Sequence, residues 1–229
     1  PSGGVMAAND IKLAKYAADI LSSEHFRVYL STDIIGVEIG GALKNVFAIL
    51  AGGLEGLGLG SNTSTMLITL ACHEMVRLGV SLGAQESTLV GLSGLGDLML
   101  TCFGTESRNK AFGRSIGEGK KVCEIINERS QSLSGVAEGV ATAPAAQRLA
   151  ANLKVRTPLI NVCVACLNEE LNAKEALKQC MLSPIRIDGH QRHRKWNNKH
   201  PHIVFVFLLV VSFCFFGAVG LLSCPTAPW

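Results

Sequence analysis

Between Gly36 and Ala51 the sequence reads GVEIGGALKNVFAILA, and no other stretch limits the fold as tightly. Ile39, Leu43, Val46, Phe47 and Leu50 recur at the spacing of a helix packed into a core. Lys44 falls off that stripe. The face it shares with positions three and four away carries Gly40, Gly41 and Ala48. Each interior glycine costs a helix about 1 kcal/mol against alanine, so two of them beside an amine point to something that must approach the backbone there. Lys44 is therefore expected to touch a ligand, with the rest of the chain assembled around it.

Before this helix the pattern is mixed. Pro1–Ala8 reads as a strand, and Asn9 or Asp10 caps a helix with apolar positions Ile11, Leu13, Ala14, Ala17, Ala18 and Leu21. FRVYL, at 26–30, alternates and is rich in β-formers, which makes it a second strand. From Thr32 onward the period is helical. A glycine-rich break is expected at Gly52–Gly60, then a helix over Thr63–Leu82 with Met66, Leu67, Leu70, Met75, Val76 and Leu78 inside. Further helices are expected from Ser107, over Val122–Glu128 and over Gly135–Ala151. Pro158 suits a first helical turn, and Asn172 with Glu175 forms a capping box for the last helix. A strand–helix–strand unit followed only by helices reads as the end of an α/β domain joined to a mainly all-α domain. No GxGxxG follows a strand, and the glycines of 52–60 lack the Lys-Ser/Thr of a P-loop.

A net charge of +3 on 229 residues is too small to imply a nucleic-acid partner. The eight cysteines are irregularly spaced, unlike a disulfide framework. Cys163 and Cys166 form a CxxC inside an apolar helical pattern without a second pair, so buried thiols are favoured over a metal or redox site. His25 and His73 lack ligand partners in sequence and read as structural or surface residues.

Three further segments carry chemistry. In GLGDLMLTC, Asp97 and Thr101 are four apart and share a helical face, where a carboxylate can orient an ammonium; a plain helix cap at Asp97 is the competing reading. Ser107-Arg108-Asn109 opens a helix, where free first-turn N–H groups and an arginine can make an anion site; an N-cap serine followed by a solvated arginine is the competing and commoner reading. Glu138 in VAEGV suits a first turn through the helix dipole alone.

Taken together, GALKN (41–45), GLGDLMLTC (94–102), SRN (107–109) and VAEGV (136–140) closely resemble NAD(P)-dependent glycerol-3-phosphate dehydrogenases of the bacterial type, over about residues 1–186. The resemblance implies a helical C-terminal domain of 6-phosphogluconate-dehydrogenase-like architecture (33–186), preceded by the end of a Rossmann domain (1–32). It implies oxidation of glycerol 3-phosphate, or reduction of dihydroxyacetone phosphate, with NAD or NADP. Lys44 would be the acid/base group. Asn45, Asp97, Thr101, Ser107, Arg108 and Asn109 would bind substrate, and Arg108, Val136 and Glu138 would approach the cofactor. No metal is implied, and a homodimer is. The adjacency of Lys44 and Asn45 separates the chain from the related β-hydroxyacid dehydrogenases, in which the two are several residues apart.

Two departures carry their own expectations. The glycine fingerprint of the dinucleotide-binding half should precede residue 1, so this chain alone is expected to be an incomplete enzyme without turnover. After a basic stretch (187–202), residues 203–224 are apolar, uncharged and long enough to span a bilayer. Non-native read-through is favoured there over a tail anchor, because soluble members end near where the match ends. Localisation is then cytoplasmic, with membrane anchoring or an organelle as the other settings. A noncatalytic helical relative that binds a phosphate metabolite or a protein partner is the alternative function.

Overall fold

Strands β1 (Ser2–Ala7) and β2 (Phe26–Ser31) pair in parallel, Ser2 opposite Phe26 through Ala7 opposite Ser31, with α1 (Ile11–Leu21) as the crossover. In this computed structural model residues 1–131 and 137–181 are described, and all of them fall in one compact unit, Pro1–Ser183. Asp10 caps α1 by accepting from the Lys12 N–H at 2.9 Å. Of the apolar positions expected inside, α1 buries Ala14 and Ala18, while Ile11, Leu13 and Leu21 stay exposed. Small alanines let the helix lie close to a sheet of only two strands, which is too narrow to cover the larger side chains.

Among the described residues every element after β2 is helical: α2 (Ile34–Gly56), α3 (Ser61–Ser81), α4 (Glu86–Leu89), a π-helical turn (Leu92–Gly96), α5 (Asp97–Phe103), α6 (Arg108–Gly117), α7 (Val122–Gln131), α8 (Glu138–Asn152), α9 (Pro158–Leu167) and α10 (Ala173–Met181). The helix expected over Gly135–Ala151 thus begins at Glu138; positions 135 and 136 lie outside the described residues, as do 187–224.

Helix α2 is the central strut. Its cap is Asp33, buried, with one carboxylate oxygen taking the Gly36 N–H and the other the Gln85 N–H, both at 2.8 Å. Burial pushes this carboxyl up, but those two N–H bonds and the Thr88 hydroxyl outweigh it and hold Asp33 below its ordinary value. The expected break at Gly52 does not occur, and the helix runs on to Gly56. Helices α2 and α6 cross backbone to backbone at this point: a Cβ on Gly52 would lie 1.9 Å from the Lys110 carbonyl oxygen, and one on Gly113 would lie 1.8 Å from that of Ile49. These glycines are a packing surface and not a turn. The chain turns only after Leu57, where Gly58 takes φ +73°.

The core holds Leu43, Val46, Phe47 and Ile49 of α2 with Met75, Leu78, Leu98, Phe112, Ile125 and Ile160 from the surrounding helices. Ala48 is fully buried too, so α2 is enclosed on more than its apolar stripe. On α3, Met66 and Leu70 are exposed, contrary to expectation, while Leu67, Met75 and Leu78 are inside. Glu74 is 1% exposed and reaches across to α9, accepting from Leu159 N–H at 3.0 Å and Ile160 N–H at 2.8 Å. It caps a helix that opens with Pro158 at its start. The Asn172–Glu175 capping box is present, with reciprocal bonds of 2.9 and 3.0 Å.

Candidate functional site

Consecutive positions on a helix point about 100° apart, and α2 uses this to send Lys44 and Asn45 in different directions. Lys44 meets Asp97, the first residue of α5, at 2.5 Å between Nζ and Oδ2. The π-helical turn sets that meeting. Its Ser93 carbonyl oxygen would lie 2.4 Å from a Cβ on Gly40, so the group approaching Gly40 is the chain's own backbone. Gly41 differs: a Cβ there would meet nothing within 4 Å, which leaves space beside the amine. The two side chains remain 24% and 31% exposed, a level at which an ion pair orients its partners more than it stabilises the fold, by about 1 kcal/mol at most. Asp97 is thus an ion-pair partner, not merely a cap. Thr101 shares its face as the spacing requires, but its hydroxyl donates to the Asp97 carbonyl at 2.6 Å.

Asn45 points toward α6 and α8. Gly139 N–H donates to Asn109 Oδ1 at 2.8 Å, Asn109 Nδ2 donates to Asn45 Oδ1 at 2.9 Å, and Asn45 Nδ2 donates to Glu138 Oε2 at 3.2 Å. A backbone N–H can only donate, so it fixes which end of Asn109 faces it, and each later amide orientation follows in turn. Asn109 is 7% exposed, and each end of its amide is engaged once, which fixes the orientation of the side chain. Gly139 is obligatory here, since a Cβ would lie 2.5 Å from the Asn45 carbonyl oxygen.

Ser107 caps α6, its Oγ accepting from Lys110 N–H at 3.2 Å. Arg108 is exposed, with a guanidinium nitrogen 3.9 Å from Glu138 Oε1. The site therefore has two linked parts: an amine–carboxylate pair with open backbone beside it, and a ring of amides and charges that ends at an arginine on a helix N-terminus. Val136 lies outside the described residues.

Sequence reasoning missed Lys110 and Glu55. Lys110 Nζ lies 2.9 Å from Glu55 Oε2 and donates to the carbonyls of Phe103 and Gly104 at 3.2 and 3.3 Å, tying the end of α5 to α2 and to the start of α6. Arg114 also pairs with Glu55. The Lys110 bond first, and then Arg114, hold the Glu55 carboxyl below its ordinary value against burial. Nothing local signals this, because SRNK reads as a solvated helix start and its partner lies a whole helix away. Cys163 and Cys166 are buried, and burial pushes the Cys166 thiol up to about 11, where it is inert. Among the described residues no cluster of three His, Cys, Asp or Glu could hold a metal. An apolar cleft lined by Leu54, Met66, Leu70, Val162 and Leu177 lies away from Lys44 and contains no charged group.

A family model described as "NAD-dependent glycerol-3-phosphate dehydrogenase C-terminus" matches residues 33–178. The glycerol-3-phosphate dehydrogenase (NAD(P)+) of Citrifermentans bemidjiense is 43% identical over 189 residues, covering 82% of this chain and 55% of that protein. The chloroplastic glycerol-3-phosphate dehydrogenase (NAD(+)) of Oryza sativa subsp. japonica is 43% identical over 184 residues, 80% of this chain and 41% of that one. The crystal structure of glycerol-3-phosphate dehydrogenase from Coxiella burnetii superposes with a TM-score of 0.75 at 36% identity, over 80% of this chain and 55% of that chain. The chain thus spans about half the length of the relatives it matches.

Proposed function

We propose that this chain, which belongs to the NAD-dependent glycerol-3-phosphate dehydrogenase family through their C-terminal domain, supplies the substrate-binding and proton-transferring part of such an enzyme. The carrying observation is Lys44, held by Asp97 at 2.5 Å beside the open backbone of Gly41 and one residue from the amide ring that leads to Arg108. NAD or NADP, when bound, supplies the hydride acceptor or donor. Arg108 and Glu138 are the described residues suited to approach it, since both are exposed charged groups at helix starts on the same side of the amide ring. The sequence has no glycine fingerprint to hold the dinucleotide, so that part of the binding belongs to a half outside the matched domain.

The remaining steps fall to this chain's own residues. The phosphate of the substrate is taken by Arg108 and the first-turn N–H groups of α6, where dipole and guanidinium both favour a dianion. That anchors C2 near Lys44. In the reducing direction the carbonyl oxygen of dihydroxyacetone phosphate takes a proton from the Lys44 ammonium as C2 receives hydride; in the oxidising direction neutral Lys44 removes the hydroxyl proton as hydride leaves. Asp97 keeps Nζ in place for either direction. Asn45 forms part of the wall, held by Asn109. A dimer, and a cytoplasmic or plastid setting, belong to the same proposal.

Titration of glycerol 3-phosphate into the chain, followed at the backbone amides of Arg108 and Asn109 by NMR, tests the reading. Arg108→Ala is expected to weaken binding about tenfold or more, and Lys44→Ala to move the signals around Gly41. An unaltered affinity in Arg108→Ala would sink it, with exposed Lys120→Ala as the control for nonspecific charge.

A further inference from the structure

Helix α5 carries Asp97 as its first residue and is tied at its other end by a side chain that the mechanism does not use. Lys110 is the third residue of α6, and its backbone N–H donates to Ser107 Oγ at 3.2 Å. A cation is out of place in a first helical turn, where the dipole opposes it. Its ammonium leaves that turn and lies against the end of α5, donating to the carbonyl oxygens of Phe103 and Gly104 at 3.2 and 3.3 Å. The last carbonyls of a helix have no N–H further along to accept from, and the dipole there is negative. The charge that burdens α6 therefore suits α5.

A third contact fixes this arrangement to the central helix. Lys110 Nζ lies 2.9 Å from Glu55 Oε2, with the lysine side chain only 12% exposed. Glu55 comes eleven residues after Lys44 on α2. Steps of about 100° and about 1.5 Å return it to the Lys44 face, about 16 Å further along the axis. Two ion pairs on one face of α2 thus hold the two ends of α5: Lys44 with Asp97 at its start, and Glu55 with Lys110 at its end. Because Lys110 belongs to α6, the second pair also fixes where Arg108 stands relative to Lys44.

We propose that Lys110, anchored by Glu55, is a positioning residue that sets the separation between the Lys44–Asp97 pair and Arg108. The inference rests on the reading of Arg108 as the phosphate anchor. With the phosphate held there, that separation decides whether the C2 oxygen of the same molecule reaches Lys44. Lys110 itself acts through α5 and the first turn of α6.

The test compares two probes by calorimetry on the full chain: glycerol 3-phosphate, which needs both places, and inorganic phosphate, which needs only the anchor. Wild type is expected to bind glycerol 3-phosphate about tenfold more tightly, the worth of one hydrogen bond to a charged group. In Lys110→Met and in Glu55→Ala this preference should fall to about twofold, while Lys110→Arg, which can donate to the same carbonyls and carboxylate, keeps it. Arg114 also pairs with Glu55, so Lys110→Met does not leave that carboxylate alone. The two losses change the net charge in opposite directions. A field effect on the phosphate would move them apart, whereas lost position lowers the preference in both. Melting temperatures recorded alongside separate unfolding, which weakens both probes alike, from misplacement, which weakens one. A tenfold preference kept in Lys110→Met, or changes of opposite sign in the two variants, overturns the positioning role while leaving the anchor intact. Phosphate affinity undiminished in Arg108→Ala overturns the anchor itself.

Discussion

Replacing Glu74 by glutamine should change how the stability of the domain depends on pH. Glu74 is 1% exposed and caps α9 with both carboxylate oxygens. Burial drives its carboxyl from 4.5 up to about 7; the two N–H bonds, Arg77 and Arg156 pull the other way and lose. The folded chain therefore holds this proton more tightly than the unfolded chain does. Its contribution to stability is complete below pH 4.5, declines as pH rises toward about 7, and is constant above that. A shift of this size corresponds to about 3 kcal/mol, the same order as half the stability of a marginal domain. Asp33 and Glu55, both lowered, act with the opposite sign and only below the range in which Glu74 titrates, so the windows separate. Glutamine keeps one acceptor and loses the other, a cost of about 1–2 kcal/mol that does not depend on pH. Urea denaturation followed by circular dichroism from pH 4.5 to above 7 should give a falling curve for wild type and a nearly level one for Glu74→Gln. Parallel curves would refute the reasoning.

Two further substitutions address the frame of the site. Gly139→Ala places a methyl group against the Asn45 carbonyl; it should cost about 1–3 kcal/mol by overpacking, and NMR titration should show weaker glycerol 3-phosphate binding than the loss of stability explains. Lys110→Met removes the tie between Glu55 and the carbonyls of Phe103 and Gly104. Urea denaturation should register a loss of about 1–2 kcal/mol, with hydrogen exchange rising at the start of α6.

What could be read beforehand was local. The stripe from Leu43 to Phe47, the proline start at Pro158 and the Asn172–Glu175 box are each written within a few residues, and each formed. The pairing of Lys44 with Asp97 was within reach because both sat in motifs with a physical reason to meet. The glycines of 52–56 were misread because a close helix crossing and a turn use the same residue, and only the partner helix tells them apart. The same limit hid Lys110 with Glu55, and Glu74 with α9. Each partner lies in another helix, and its sequence neighbourhood gives no sign of the contact. Met66 and Leu70 fit the helix period but face outward, since period fixes a face and not what covers it.

The most direct test of the central claim is turnover by the chain joined to a dinucleotide-binding half from one of its relatives, with dihydroxyacetone phosphate and NADH. The account predicts that Lys44→Ala lowers kcat by about a hundredfold to ten-thousandfold, the range for loss of a positioned acid/base group, while cofactor affinity is kept. A Lys44→Ala variant that turns over at the wild-type rate would contradict it.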